Sequence, residues 1–444
     1  MSRETFTSRL GLVATMIGVA VGLGNVWRFP YMVGRFGGAA FVVVYLLLAV
    51  LIGIPALMAE WTLGRHTRRG SVGAFELAGL PGGRALGWIF FFAVATATGY
   101  YSNAIGWVIY HGAAELARGL GVSLNATRIL PPDAGFDGAS FSLQFVSTGL
   151  VIAACGLVLR RGLRSGIQKA SMLITPMLFG ILLLLVVRSL TLDGAGEGLA
   201  WLLLKFEPSD ITGGVAMAAL GQVVFSLALG GTFMVVYGSY LDDGVDLGRN
   251  AVWTVLGDTG AGLLAGLAIF PAVFAFGLEP ASGPGLIFAT LPQVFASMPI
   301  GWLFGSLFFL ALASAAYLSA VAAFEVLVAG LADNTGIARK PATTLVSILV
   351  LLLALPPMIN MRIFVPWDLT FGTGFQTFGA LIAALTVGWS FKRSDALRQL
   401  ANSEDAGPQI RLLYNWIRFV VPGAILTVGV WWFLTDVLGL VGPV

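Results

Sequence analysis

Thirteen residues, GVAVGLGNVWRFP from 18 to 30, limit what this chain can fold into more than any other stretch. They lie inside the first long apolar run, where a continuous helix is expected because lipid offers the backbone no hydrogen-bond partner. Gly18, Gly22 and Gly24 fall within seven residues, and Asn25, Arg28 and Pro30 follow. Each glycine weakens a helix by about 1 kcal/mol relative to alanine, so the backbone is invited to open. Open backbone at membrane depth is tolerated only where it lines a cavity or binds something, and Arg28 is costly facing lipid. A loosely packed span with small contact residues is the plainer reading; a broken helix that forms a binding site accounts for Asn25 and Arg28 as well.

That this run crosses a membrane follows from composition. The 444 residues are 57% hydrophobic and 11% charged, with mean hydropathy +0.89, which no soluble globular chain of this length shows. Runs long enough to span, about 20 residues, fall near 10–34, 38–63, 86–116, 141–160, 167–188, 212–240, 249–277, 299–331, 341–358, 364–390 and 412–438, eleven in all. The first reads as a retained span and not as a cleaved signal. Of 25 Lys and Arg residues, 18 fall on one side of this arrangement and 7 on the other. That asymmetry puts the N-terminus in the cytoplasm and, with an odd number of spans, the C-terminus outside. The net charge of +3 carries no signal for nucleic acid, and the single cysteine, Cys155, excludes an intramolecular disulfide. Among the connections, 278–298 mixes glycine and proline with an apolar middle and reads as a re-entrant or lid segment. The acidic cluster Asp242 to Asp246 reads as solvated.

A second interruption occurs in the sixth run, GQVVFSLALGGTF at 221–233, with Gly230 and Gly231 and with Gln222 and Ser226 nearby. Paired glycine-interrupted spans in the two halves of a chain point to an inverted-repeat transporter. Residues 1–190 are expected to form a first five-span repeat, 205–391 a second, and 412–438 an added span.

GVAVGLGNVWRFP followed by RFGGAAFVVVYLLLAVLIGIPALMAEWTLGR resembles the signature of the neurotransmitter:sodium symporter family, in its bacterial amino-acid transporter branch. The resemblance runs from Arg3 to about Asp368. It implies the all-α leucine-transporter fold, a 5+5 inverted repeat with discontinuous spans 1 and 6. It also implies two ion sites. The first would use the carbonyl of Ala20, the side-chain oxygen of Asn25 and Ser226, oxygen ligands suited to a hard cation. Asp258, an expensive carboxylate within the seventh span, aligns where relatives bind this sodium through an asparagine. Near Tyr45, Gln222 and Ser226, it would supply a fixed charge where animal relatives need chloride, so chloride is not expected to be required. Gly262 stands one turn later, where some relatives carry that acid. The second site would use the carbonyls of Gly18, Val21 and Ala315 with the Ser319 hydroxyl. Leu318 replaces its usual further side-chain oxygen, which leaves the number of sodium ions at one or two.

The substrate is expected between the breaks. Free amides around Leu23 and Gly24, at a half-helix N-terminus, favour an anionic group, and Tyr101 corresponds to the tyrosine that hydrogen-bonds a substrate carboxylate. Amine transporters of the family place an aspartate where this chain has Gly22, so an amino acid fits better than a bare amine. Ala20, Gly22, Leu23, Gly24, Ala97, Tyr101, Phe225, Ser226, Ala228, Gly231, Ser319 and Ala323 would line the pocket. Gly231 and Ala323 are smaller than their counterparts in a leucine-selective member, which suggests hydrophobic, including aromatic, substrates.

By the same resemblance, Arg28 and Asp368 would form an extracellular gate above Tyr101 and Phe225, and Arg3 and Asp333, with Phe6 and Tyr240, a cytoplasmic one. Gly166 and Pro176, with nine residues between them in span 5, would form a hinge where the helix unwinds to release sodium inward; proline deletes a backbone hydrogen bond and kinks a helix. Glu60 is expected to hydrogen-bond the frayed backbone of span 6, with Glu325 a similar buried acid, and His66 and His111 read as loop or helix-end residues. The chain thus reads as a sodium-coupled symporter in the plasma (inner) membrane that imports neutral, hydrophobic or aromatic L-amino acids by alternating access. A proton-coupled amino-acid transporter, or an amino-acid-binding membrane sensor or channel, are the alternatives. No Ser/His, Cys/His or paired-carboxylate arrangement suggests an enzyme. Oligomeric state has no sequence signal.

Overall fold

The first apolar run folds as two helices, α1 (Arg9–Ala20) and α2 (Gly24–Arg35), bent by 56° at the residues between them, Val21, Gly22 and Leu23. The computed structural model describes residues 4–280 and 286–439, and among these every regular element is helical. The long helices are α3 (Ala39–Thr67), α4 (Gly83–Gly119), α5 (Gly138–Leu159) and α6 (Leu163–Leu190) in the first part of the chain. The sixth run becomes α7 (Gly213–Ser226), a non-helical stretch, and α8 (Phe233–Gly238). After it come α9 (Leu247–Ala275), α10 (Leu286–Ser297), α11 (Gly301–Thr335), α12 (Arg339–Met358), α13 (Met361–Ser390) and α14 (Pro408–Thr435). Nine of the described helices are individually long and apolar enough to cross a membrane, and the bent α1–α2 pair makes ten. α7 alone has 14 residues, too few at 1.5 Å per residue to cross a core about 30 Å thick.

Apolar patterning locates each long element to within a few residues. Several connections nonetheless carry helices that their composition did not announce: Ser71–Leu77, Ala195–Leu203 and Arg393–Ala401. The segment expected as a lid contains α10, while its residues 281–285 lie outside the described residues.

α11 is the most enclosed long helix, with 72% of its apolar window buried, and α14 the least, with 28%. The broken α1 packs against α6, α9 and α11, so the interruption lies at the centre of the bundle. The second broken element is anchored by close backbone approach. A Cβ on Gly64 of α3 would overlap the Val235 carbonyl, and one on Gly238 would lie 2.7 Å from the Trp61 Cα. Small residues at such crossings let membrane helices meet backbone to backbone.

Two minor expectations are resolved, one of them as a correction. The acidic cluster is solvent-exposed as expected, and it adds contacts that the sequence did not announce: Asp246 caps α9 by accepting from the Arg249 N–H at 2.9 Å, and Asp243 pairs with Arg68 at 2.6 Å. His111 is no helix-end residue; it is buried in α4 between the rings of Phe288 and Phe309.

Candidate functional site

The first break opens at Val21, whose ψ of 116° leaves the helical region. Its own N–H still closes the last turn on the Ile17 carbonyl at 2.7 Å. The next two amides are taken by side chains. Gly22 donates to Asn25 Oδ1 at 3.0 Å, and Leu23 to the Tyr101 hydroxyl at 3.2 Å. Gln222 Nε2 donates across to the Gly24 carbonyl at 2.8 Å, tying α7 to the start of α2.

The second break is built differently. Ala228, Gly230 and Thr232 take positive φ values of 51°, 82° and 58°, a region that costs an alanine or threonine about 1–2 kcal/mol. The Gly230 N–H donates to Glu60 Oε1 at 2.6 Å, as expected of that acid. A Cβ on Gly230 would overlap the Gln376 carbonyl of α13, and one on Gly379 would overlap the Gly230 carbonyl. Two bare glycines therefore let the break lie directly on α13.

Asp258, fully buried on α9, stands at the centre of a polar cluster beside the first break. Asn25 Nδ2 donates to its Oδ1 at 2.6 Å; Ser226 and Tyr45 donate their hydroxyls to its Oδ2 at 2.6 and 3.2 Å. Asn25 Nδ2 also meets Ser226 Oγ at 3.0 Å and the Asp258 carbonyl at 2.9 Å. Residues from α2, α3, α7 and α9 thus converge on one carboxylate with no cationic side chain among them. Every donor there is neutral, so the negative charge is hydrogen-bonded but not neutralised, which is the condition for attracting a small cation.

Adjoining this cluster is a cavity between the two breaks. All twelve residues expected to line a substrate pocket line it, Ala20, Gly22, Leu23, Gly24, Ala97, Tyr101, Phe225, Ser226, Ala228, Gly231, Ser319 and Ala323. Its polar end is the backbone at 22–24 with Tyr101 and Ser319. A Cβ on Gly22 would lie 2.9 Å from the Tyr101 hydroxyl and 3.1 Å from Ser319 Oγ, so a larger side chain there needs its neighbours to move. The rest is apolar, and none of the lining side chains described is charged.

Phe90, Val94, Phe233, Phe371 and Phe375 also line the cavity and were not anticipated. A helical count finds most of them. Val94 and Phe90 lie 7 and 11 residues before Tyr101 on α4, and Phe371 and Phe375 lie 3 and 7 after Asp368 on α13, spacings that share one helical face. No spacing rule reaches Phe233, whose direction depends on the left-handed turn before it.

Around Gly18 one apolar side chain and two hydroxyls come close. A Cβ there would lie 3.0 Å from Leu318 Cδ1, 3.3 Å from Thr175 Oγ1 and 3.5 Å from Ser171 Oγ. Ala315 is buried nearby in sequence on α11, and Ser319 turns its hydroxyl toward Gly22 and Tyr101. Gly18, Val21, Ala315 and Ser319 thus stay on the two expected elements, but Leu318 stands against Gly18 and the Ser319 hydroxyl faces the cavity.

The gate residues are divided. Arg28 lies over the Phe225 ring, 4.2 Å from its centroid. It makes no direct ion pair with Asp368 among the described contacts; Asp368 instead shares the Gly372 Cα surface with the Tyr100 hydroxyl. At the opposite end Phe6 and Tyr240 line one cavity together. Asp333 accepts from the Gly70 N–H at 2.7 Å, while Arg3 lies outside the described residues. Tyr240 donates to Glu325, which also pairs with Arg339 Nη1 at 3.0 Å. The hinge residues occupy α6: Gly166 in its wide first turns, against the Val158 carbonyl, and Pro176 inside the helix. Those first turns hold the N-terminal segment, with Leu163 N–H donating to Glu4 at 2.8 Å and Gln168 Nε2 to Thr7 at 2.7 Å.

Residues 3–123 and 139–436 match the sodium:neurotransmitter symporter family. The uncharacterized sodium-dependent transporter YhdH of Bacillus subtilis is 34% identical, over 95% of this chain and 96% of that one. An uncharacterized sodium-dependent transporter of Haemophilus influenzae is 32% identical, over 96% and 97%. The crystal structure of MhsT in complex with L-phenylalanine is similar at a TM-score of 0.80 and 34% identity, covering 97% of this chain and 99% of that one.

Proposed function

This chain belongs to the sodium:neurotransmitter symporter family, multi-pass membrane transporters and not enzymes, and from that premise we propose that it imports neutral, hydrophobic or aromatic L-amino acids with sodium. The observation that carries the reading is the junction of Asp258, Asn25 and Ser226 with a charge-free cavity whose polar end is open backbone. Sodium binds at the first site, where Asp258 supplies the neutralising charge and chloride is not needed. Ala20 contributes its carbonyl and Ser226 its hydroxyl oxygen.

Asn25 links ion to substrate. Its amide now gives its donor end to Asp258 and its oxygen to the Gly22 N–H. A cation at the carboxylate requires oxygen there, so the amide turns over. That releases the Gly22 N–H, which then faces the cavity together with the Leu23 N–H and Tyr101. These donors take the substrate carboxylate, and the apolar end takes its side chain. That MhsT was crystallised with L-phenylalanine supports an aromatic-capable pocket in a relative of this similarity. Gly18, Val21, Ala315 and Ser319 form a second, weaker ion site.

The N-terminus lies in the cytoplasm of the plasma (inner) membrane, residues 1–190 and 205–391 form the two repeats, and 412–438 is the added span. Arg28 and Asp368 close the outside, with Tyr101 and Phe225 beneath. Phe6, Tyr240 and Asp333, with Arg3, close the inside. Unwinding between Gly166 and Pro176 frees the N-terminal segment that α6 holds and opens the inward path. The membrane potential favours inward sodium by about 2.3 kcal/mol per charge per 100 mV. The pairing of Glu325 with Arg339 and Tyr240 argues against proton coupling through that residue. Equilibrium binding of radiolabelled leucine, phenylalanine and tryptophan to the purified protein, in sodium or in potassium, tests the reading. Saturable binding in sodium alone is expected; binding indifferent to the cation overturns it.

A further inference from the structure

Toward its C-terminal end α4 carries a buried histidine that transport as described above does not use. His111 is 1% exposed. Its Nδ1 lies 2.8 Å from the Trp107 carbonyl, which can only accept, so Nδ1 carries the hydrogen and Nε2 is the bare nitrogen. Nε2 is buried with no hydrogen-bond partner among the described residues. The ring packs instead against Phe288 of α10, 4.7 Å between centroids, and Phe309 of α11, 5.6 Å away. Phe288 also meets Trp27 edge-to-face at 5.2 Å and stacks on Phe309 at 6.4 Å. One ring of α10 is thus held by α2, α4 and α11 together, with Leu286 and Ile287 fully buried beside it. Trp27 immediately precedes the gate residue Arg28, so this contact joins α10 to the gated end of the broken span.

No anion near the ring is left over to pair with a protonated imidazole. On α4, Glu115 one turn further on is held by Arg118 at 2.5 and 3.1 Å and lies against Gly305 of α11. α10 has no titratable side chain. α11 has no charged one before Glu325, and its Tyr317 donates to the Ala154 carbonyl at 3.0 Å. α2 brings only the cations Arg28 and Arg35, with Tyr31.

We propose that His111 is a proton-sensitive latch for α10: the neutral ring holds Phe288, and with it α10 against α2, and a proton on Nε2 releases the helix. That α10 covers the side from which substrate enters rests on the symporter reading and orientation above. A proton on Nε2 gives the ring a charge and an N–H without an acceptor. An unpaired buried charge costs more than two ring faces return by cation–π attraction, so the protonated ring prefers water, and α10 must lift to let it out. Once in water, a histidine takes its proton at about pH 6.5. The latch therefore holds fully above that pH and weakens below it, by at most about tenfold per pH unit for one proton. A lifted α10 lets go of Trp27 and favours the open outer side, so acid outside the cell loosens the hold on substrate.

The test reads α10 and substrate separately, in the purified full-length protein at about pH 7.5 and about pH 5.5, on either side of the histidine range. Val294→Cys puts a thiol at a buried position of α10, while the native Cys155 is buried on α5 and supplies the background. Thiol labelling slows chemically in acid, so proteins are compared at one pH. Against the same reporter combined with His111→Phe, labelling with His111 present is expected to be equal at the higher pH and about 5- to 10-fold faster at the lower one. L-phenylalanine binding in sodium is expected to weaken over that interval by about 5- to 10-fold more in the unsubstituted protein than in His111→Phe or His111→Gln. Neither variant can take the proton, and the second keeps a donor for the Trp107 carbonyl should the first fold poorly. Equal labelling at the lower pH with and without His111 overturns the latch. Slower labelling with His111 overturns it as well, because the proton then tightens the contact. Faster labelling with no difference in the pH profile of binding also overturns it, because α10 then guards nothing. Where the unsubstituted protein binds no amino acid at either pH, the amino-acid reading fails instead, and labelling alone decides the latch.

Discussion

The two helix breaks face each other across the same cavity, yet they are solved by opposite means. At the first, side chains satisfy the backbone: Asn25 of α2 itself and Tyr101 of α4 take the Gly22 and Leu23 amides, and Gln222 of α7 donates to the Gly24 carbonyl. At the second, the backbone turns left-handed at Ala228, Gly230 and Thr232 and settles on α13 through bare glycines, with Glu60 accepting from the Gly230 N–H. Side-chain hydrogen bonds can be exchanged for bonds to an ion or a ligand at little net cost, since each is worth about 1 kcal/mol. Close backbone packing cannot be exchanged in this way. The first break is therefore suited to sense cargo, and the second to hold the cavity's shape.

The largest effect is expected where that difference is sharpest. Gly230→Ala places a methyl group on the Gln376 carbonyl and asks an alanine to keep φ near +82°. Overpacking and strain each cost about 1–3 kcal/mol, so the variant is expected to lose roughly 3 kcal/mol or more of stability, read as thermal unfolding of the purified protein. Whatever fraction remains folded should keep its sodium dependence. A stable Gly230→Ala protein that had lost sodium dependence would reverse the roles of the two breaks.

Asp258→Asn is the matched change at the first break. It keeps the shape and removes the charge, so the fold should survive while sodium-driven binding in chloride-free buffer falls about 10- to 100-fold, the loss of charge-assisted hydrogen bonding and ion pairing. Added chloride should restore much of it. A variant active and indifferent to chloride would remove the fixed-charge role of Asp258. Glu60→Ala sharpens the contrast from the other side. It leaves the buried Gly230 N–H unpaired, at about 1–3 kcal/mol, and should show in melting temperature before it shows in sodium affinity.

Much of this was legible from residue order, for physical reasons. Membrane helices must be apolar along their length, so their limits follow from composition, and the 18-to-7 division of basic residues gave a direction. The first break was legible because three glycines with Asn25 and Arg28 make no sense in a lipid-facing helix. Asp258 stood out because a buried carboxylate needs a reason. What stayed hidden depends on three-dimensional direction. Phe233 reaches the cavity only because Thr232 turns left-handed, and threonine does not advertise that conformation. The short helices Ser71–Leu77 and Arg393–Ala401 lie outside the spanning runs, where hydropathy is silent. Arg28 covers the Phe225 ring and still bears electrostatically on Asp368; how a guanidinium divides itself between a carboxylate and an aromatic face is nothing that spacing decides.

The smallest effect tests whether the first break's polar cluster acts on the ion or only on the fold. Tyr45 donates to Asp258 Oδ2 at 3.2 Å and lies 3.3 Å from Ser226 Oγ, from a helix that contributes nothing else to the cluster. Tyr45→Phe keeps the ring and its packing against Phe29 and Phe41, so stability should change by under about 1 kcal/mol. Without this donor the carboxylate is less well satisfied when the site is empty, whereas a bound sodium supplies positive charge of its own. The variant's empty state is raised more than its ion-bound state, and sodium affinity should rise by about two- to fivefold, an estimate from half to one hydrogen bond. Should affinity fall instead, the hydroxyl oxygen is itself a ligand or positions Ser226 as one, and the first break binds its ion through α3 as well as through α2, α7 and α9.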